Sequence, residues 1–121
     1  MRVWIYTRLS NDDDPERDSL QNQERICREF AVQRGDHIAG LSSDDNISGM
    51  NFSRRGLSRL TAAVEAGGLD GVVVKDLSRL GRHRTQTALF IDYLRERGVR
   101  VLSATERLDT FREEDDLIIG V

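Results

Sequence analysis

Two strand-like runs each end in residues that can do phosphate chemistry. Arg2 to Thr7 (RVWIYT) runs into Arg8-Leu9-Ser10, and Gly71 to Lys75 (GVVVK) runs into Asp76-Leu77-Ser78-Arg79-Leu80-Gly81-Arg82. A serine hydroxyl beside several guanidiniums suits phosphoryl transfer. Arginine donates through a planar fork that matches phosphate oxygens. Fixed positive charge also stabilises the negative charge spread over those oxygens in the transition state. Arg79 and Arg82 are three apart, so on one helical turn they would share a face and could share an anion. Arg84 and Lys75 lie close by in sequence. At this level the bland reading is the commoner one. A strand-end serine often caps or closes a loop, and loop arginines are commonly solvated or ion-paired. His37 and His83 are isolated and Cys27 is the single cysteine. No metal-ligand spacing is present, which makes a metal-independent route the simpler one.

What could bring the two runs together is an open α/β sheet, in which ligands gather at the carboxyl ends of parallel strands. The remaining pattern fits one. Ser19 is placed to cap a helix running to about Arg34, with Gly35 as its stop. Leu20, Ile26, Phe30 and Val32 would be its apolar positions, with Leu20, Cys27 and Ala31 near one face. His37 to Leu41 reads as a weaker strand and Ser42 to Ser53 as a long polar loop. Gly56 to Glu65 is a short helix with Leu57, Leu60 and Val64 on one side. Gly71 to Lys75 is apolar throughout, as for a strand buried on both faces. Thr85 to Arg97 is amphipathic, with Leu89, Phe90, Tyr93 and Leu94 apolar, and Val99 to Ser103 is a further strand. The alternation predicts a three-layer α/β domain: a mostly parallel central sheet of four to five strands with helices on both faces. Asp12 to Asp14 reads as a solvated loop.

The bulk composition bounds the rest. The chain has 121 residues, 38% hydrophobic and 32% charged, which suits one soluble compact domain. No apolar run approaches a membrane span, and acidic and basic residues arrive too early for a secretory leader. A lone cysteine, expected to be a small core or boundary residue, fits a reducing cytoplasm. The net charge of −3 argues against a broad electrostatic grip on nucleic acid, so any DNA contact here should be local. The chain ends on the apolar run Leu117 to Val121 (LIIGV), which suggests a fragment of a longer protein.

Tyr6-Thr7-Arg8-Leu9-Ser10 resembles the Y-x-R-x-S signature of the serine recombinase (resolvase/invertase) catalytic domain. Further motifs follow in order. Ser19-Leu20-Gln21-Asn22-Gln23 is similar to S-[LI]-x-x-Q, Asp45-Asn46-Ile47-Ser48-Gly49 to D-x-x-S-G, Arg54-Arg55-Gly56-Leu57 to R-x-G-L, and Leu77 to Arg82 to L-D-R-L-G-R. The wording of the last motif, and of the loop from Asp12 to Leu20, is closest to the large serine recombinases of conjugative and mobilisable transposons. The resemblance implies a resolvase-like fold and site-specific recombination of double-stranded DNA. Ser10 would form a covalent 5′-phosphoserine link. Arg8, Arg54, Arg79 and Arg82 would bind and activate the phosphate, Gln23 would hydrogen-bond within the site, and Asp45 would hold its loop and an arginine. It also implies a homodimer that pairs into a synaptic homotetramer, with no cofactor and no metal. A long dimerisation helix would start at about 116–121, and DNA-binding domains would lie beyond, leaving this fragment inactive alone. One departure is Ser78, where small resolvases carry Asp; that role is unfilled or passes to Asp76. A receiver-like regulatory module, phosphorylated within Asp12 to Asp14, is the competing reading.

Overall fold

A computed structural model of the chain describes residues 1–46, 54–81 and 83–112. Its elements are β1 (Arg2–Leu9), α1 (Leu20–Arg34), β2 (His37–Asp45), α2 (Arg55–Ala66), β3 (Gly71–Val74), a 3-10 turn (Leu77–Arg79), α3 (Arg84–Glu96), β4 (Arg100–Ser103) and β5 (Leu108–Asp109). They form the expected α/β arrangement around a five-stranded sheet of order β2-β1-β3-β4-β5. The first three pairings are parallel and the β4–β5 pairing is antiparallel. The short β5 lies within the tail that reads as merely polar.

Side chains leave successive strand positions on opposite faces, so each strand feeds two cores. Val3, Ile5, Val73 and Leu102 pack with Cys27 and Ala31 of α1 on one face. Tyr6, Val72, Val74 and Val101 pack with Leu60 and Val64 of α2 and Ile91 and Leu94 of α3 on the other. Leu60, Ile91 and Leu94 are fully buried; each stabilises the fold by about 1.5–3 kcal/mol relative to exposure. Two expected apolar positions are corrected. Val32 is 69% and Leu89 64% exposed. Cys27 and Ala31 form the inner stripe of α1 as expected, joined by Gln23, and Ile91 takes the central place on α3.

The caps of α1 form as read: Ser19 accepts from the Asn22 amide, and Gly35 takes the left-handed conformation with φ 77°. β2 is longer than its composition suggests and absorbs the first part of the expected polar loop. Its parallel pairing with β1 runs from Arg2↔His37 to Leu9↔Asp45, with a bulge between Val3 and Trp4. Ala39 is the extra residue, since Val3 pairs with Ile38 and Trp4 with Gly40. The bulge lets Ile38 and Leu41, an odd number of residues apart, pack into the same core. An alternating template cannot accommodate that spacing, which is why the strand looks weak. Leu117 to Val121, read as the start of a helix, lie outside the described residues.

Candidate active site

The carboxyl ends of β1 and β3 are neighbours, so the segments that follow them meet over one edge of the sheet. Ser10 leaves β1 in a tight turn closed by the Asp13 amide donating to the Ser10 carbonyl at 3.1 Å. The Asp13 side chain folds back into that turn. Its Oδ2 accepts the Ser10 amide at 2.8 Å and the Ser10 hydroxyl at 3.1 Å. Arg79, arriving from the 3-10 turn after β3, donates Nη1 to the same oxygen at 2.7 Å. One carboxylate oxygen thus joins the serine to an arginine.

Arg79 is only 4% exposed. It also donates to the Arg8 carbonyl at 2.7 Å, and Asp76 lies 3.3 Å from its Nε. Burial works against its charge, but the Asp13 and Asp76 carboxylates prevail and hold the guanidinium protonated. Asp13 is the mirror case. Partial burial pushes its carboxyl up, whereas the Arg79 hydrogen bond and the Ser10 amide pull it below the usual range.

Arg8 is held at both its backbone and its side chain. The fully buried Gln23 amide accepts the Arg8 N–H at 3.2 Å and donates to the Arg8 carbonyl at 2.8 Å and the Asp18 carbonyl at 2.7 Å. The Arg8 guanidinium donates to the carbonyls of Ser78 and Gly81. Below it, Lys75 and Asp18 make a buried ion pair. Burial raises the Asp18 carboxyl, but the Lys75 hydrogen bond and the Asp14 amide outweigh it and hold the group at about 2.

A third carboxylate organises the neighbouring face. Asp44 is buried and accepts the Tyr6 hydroxyl at 2.7 Å, the Gly56 amide at 2.8 Å and the Leu57 amide at 3.0 Å. Those amides belong to the first turn of α2, whose N–H groups have no partner within the helix. Burial, then the Asp44 carboxylate, push the Tyr6 phenol upward, so it stays a donor. Arg54, at the start of α2, lines a hollow of about 320 Å³ with Tyr6, Arg8 and Asp44. A second, open cleft of about 470 Å³ is lined by Arg8, Ser10, Asp13, Asn46 and His83. Arg8 borders both.

Of the residues singled out from sequence, Ser10, Arg8, Arg79 and Gln23 therefore converge, and Arg54 borders the adjoining hollow. Asp45 is exposed at the end of β2, on the face opposite Asp44. Arg82 lies outside the described residues. Ser78 donates its amide and hydroxyl to Asp76, which also contacts Arg79, so Asp76 supplies the carboxylate beside that arginine. The solvated reading of the acidic loop holds for Asp12 and Asp14 but not for Asp13. Asp13, Asp18 and Asp44 are the residues that sequence reading missed. An aspartate three residues after a strand-end serine is a turn-closing signal, and a lysine ending a buried strand needs a carboxylate. Nothing in the sequence separates Asp44 from Asp45. Among the described residues no group of three or more His, Cys, Asp or Glu converges as metal ligands would, and no helix is long and apolar enough to cross a membrane.

A family profile described as "Resolvase, N terminal domain" matches residues 3–121. The chain is 32% identical over 107 residues to "Serine recombinase gin" of Escherichia phage Mu, covering 87% of this chain and 48% of that protein. It is 34% identical over 70 residues to the "DNA-invertase" of Escherichia phage P1, covering 58% of this chain and 37% of the relative. It therefore spans about half the length, or less, of these curated relatives. Among solved structures, the N-terminal catalytic domain of TP901-1 integrase superposes with a TM-score of 0.82 at 26% identity, covering 99% of this chain and 89% of that one. A resolvase family site-specific recombinase from Streptococcus pneumoniae gives 0.84 at 26% identity, covering 99% and 81%. The receiver-like reading finds no support in these matches. With its ordered motifs, its mostly parallel sheet and a serine set among arginines, the chain belongs to the resolvase N-terminal domain family.

Proposed function

We propose that this domain cleaves and rejoins DNA in site-specific recombination, with Ser10 as the nucleophile. The observation that carries the reading is the shared oxygen of Asp13. Ser10 Oγ and Arg79 Nη1 both reach it, at 3.1 and 2.7 Å, so hydroxyl and guanidinium are held close together at the edge of the cleft. Arg8 stands beside them, facing the open cleft.

In the forward step Ser10 Oγ forms a bond to phosphorus while the bond from phosphorus to the 3′ oxygen breaks. The products are a 5′-phosphoserine and a free 3′ hydroxyl, and the reverse attack rejoins a strand and releases Ser10. Arg8, Arg54, Arg79 and Arg82 would share the phosphate charge, Gln23 would fix Arg8, and Asp45 would hold its loop. The substrate would be double-stranded DNA, handled by a homodimer and a synaptic homotetramer of the full-length protein in the cytoplasm. The isolated domain would be inactive.

The test is Ser10→Ala in the full-length protein, incubated with a duplex carrying its crossover site. The expected result is no covalent protein–DNA adduct on a denaturing gel, with binding to the site retained. Adduct formation or strand cleavage by the alanine variant would overturn the mechanism.

A further inference from the structure

We infer that Asp13 is a further catalytic residue, which aligns the Ser10 hydroxyl and accepts its proton as Ser10 attacks the phosphodiester. This rests on the recombinase reading above. Three observations carry it.

The first is contact with the reacting atom. Asp13 Oδ2 lies 3.1 Å from Ser10 Oγ and is the carboxylate hydrogen-bonded to Ser10 among the described residues. The Ser10 amide, at 2.8 Å on the same oxygen, fixes the geometry from the backbone side. The second is the division of labour among the acids. Serine at position 78 removes the carboxylate expected there, and Asp76 is committed to Ser78 and Arg79. Asp18 is committed to Lys75. Asp13, though paired with Arg79, is the acid whose oxygen also contacts the serine hydroxyl. The third is access. Ser10 and Asp13 both line the cleft, so a phosphodiester entering it would meet the hydroxyl with its carboxylate partner at hand.

The protonation state agrees. Arg79 keeps Asp13 ionised, and an ionised carboxylate can accept at neutral pH. Its weak basicity means transfer occurs late, once the forming bond to phosphorus has acidified Oγ. The step balances as follows. The Ser10 proton passes to Asp13, the Oγ–P bond forms, and the P–O3′ bond breaks. The proton then reaches the 3′ oxygen through solvent in the cleft. On rejoining, the order reverses.

The charged groups around Asp13 are Arg79 in contact, Asp76 and Asp18 beyond Arg79, Asp12 and Asp14 along the chain, and Arg8 across the cleft, where the titratable His83 also lies. The test is single-turnover adduct formation by the full-length protein on its site duplex, across pH. Asp13→Asn should cleave on the order of a hundredfold more slowly while binding the site normally. Its rate should climb with pH, because hydroxide must replace the lost base, and His83→Gln in the same background should keep that climb. Rates within threefold of wild type, a rate above wild type, or an unchanged pH profile would overturn the proposal. Should the Asn variant melt early, Asp13→Glu decides: it should keep the wild-type pH profile at reduced rate, and a hydroxide-dependent profile would count against Asp13. Ser10→Ala run in parallel separates the two ideas. Loss of adduct there, with full activity in Asp13→Asn, removes Asp13 alone.

Discussion

Asp44 sits where three demands meet: a buried phenol, and two helix-start amides without partners in their own helix. Hydrogen bonds to a charged acceptor contribute more than neutral ones, and a buried donor left unsatisfied is costly. Asp44→Ala should therefore destabilise the domain by about 2–4 kcal/mol, read as a lower urea midpoint. Tyr6→Phe, which removes one hydroxyl and leaves the helix amides served, should cost about 1 kcal/mol. The comparison locates the residue in the fold rather than in the chemistry. At this scale the sequence is half legible. Ser10, Arg8, Gln23 and Arg79 follow from motif and spacing. Their acidic partners do not, because Asp13 and Asp44 each sit beside other aspartates and only the folded backbone selects among them.

At the scale of elements, α2 is seated on β2 more tightly than helix packing alone requires. A Cβ at Gly56 would stand 2.5 Å from the Ser43 carbonyl oxygen and 2.6 Å from its carbon. Ser42 Oγ meanwhile donates to the Gly56 carbonyl at 2.6 Å and accepts the Trp4 indole at 2.9 Å. Since the obstruction is backbone, the helix must move. Gly56→Ala should cost about 1–3 kcal/mol in chemical unfolding, and it should displace Arg54, at the start of the same helix, from the hollow beside Arg8. Reduced affinity for the site duplex, greater than the stability loss explains, would be the accompanying sign. Helices and the strands β1, β3 and β4 were legible because caps and runs are local signals. The length of β2 and the existence of β5 were not, since both depend on pairing with distant strands.

Over the whole molecule, the candidate active edge is not the basic patch that adjacency of Arg8 and Arg79 suggests. Arg79 is ringed by Asp13, Asp76 and Asp18, and Lys75 is paired with Asp18. Net acidity and a set of converging arginines are thereby compatible: Arg79 is held in place by carboxylates. This makes the fold acid-sensitive. Asp18 falls from 3.8 to about 2 on folding. A lowered folded value stabilises above the unfolded one, so its contribution is complete above about pH 4 and is lost as pH falls towards 2. Urea midpoints should drop through that window. Lys75→Met should destabilise the domain at neutral pH by about 3–5 kcal/mol for a broken buried pair, read as a lower urea midpoint, and flatten this acid limb.

The bulge at Ala39 also says how β2 tolerates changes in length. Removing that one residue would leave Gly40 opposite Trp4 and Asp44 opposite Arg8, as now, in an unbroken ladder. Removing any residue from Leu41 to Ser43 while the bulge stays would instead exchange inside for outside, turning Asp44 away from Tyr6. When second strands of unequal length are aligned, the gap therefore belongs at position 39. A gap placed a few residues later would equate inward aspartates with outward ones.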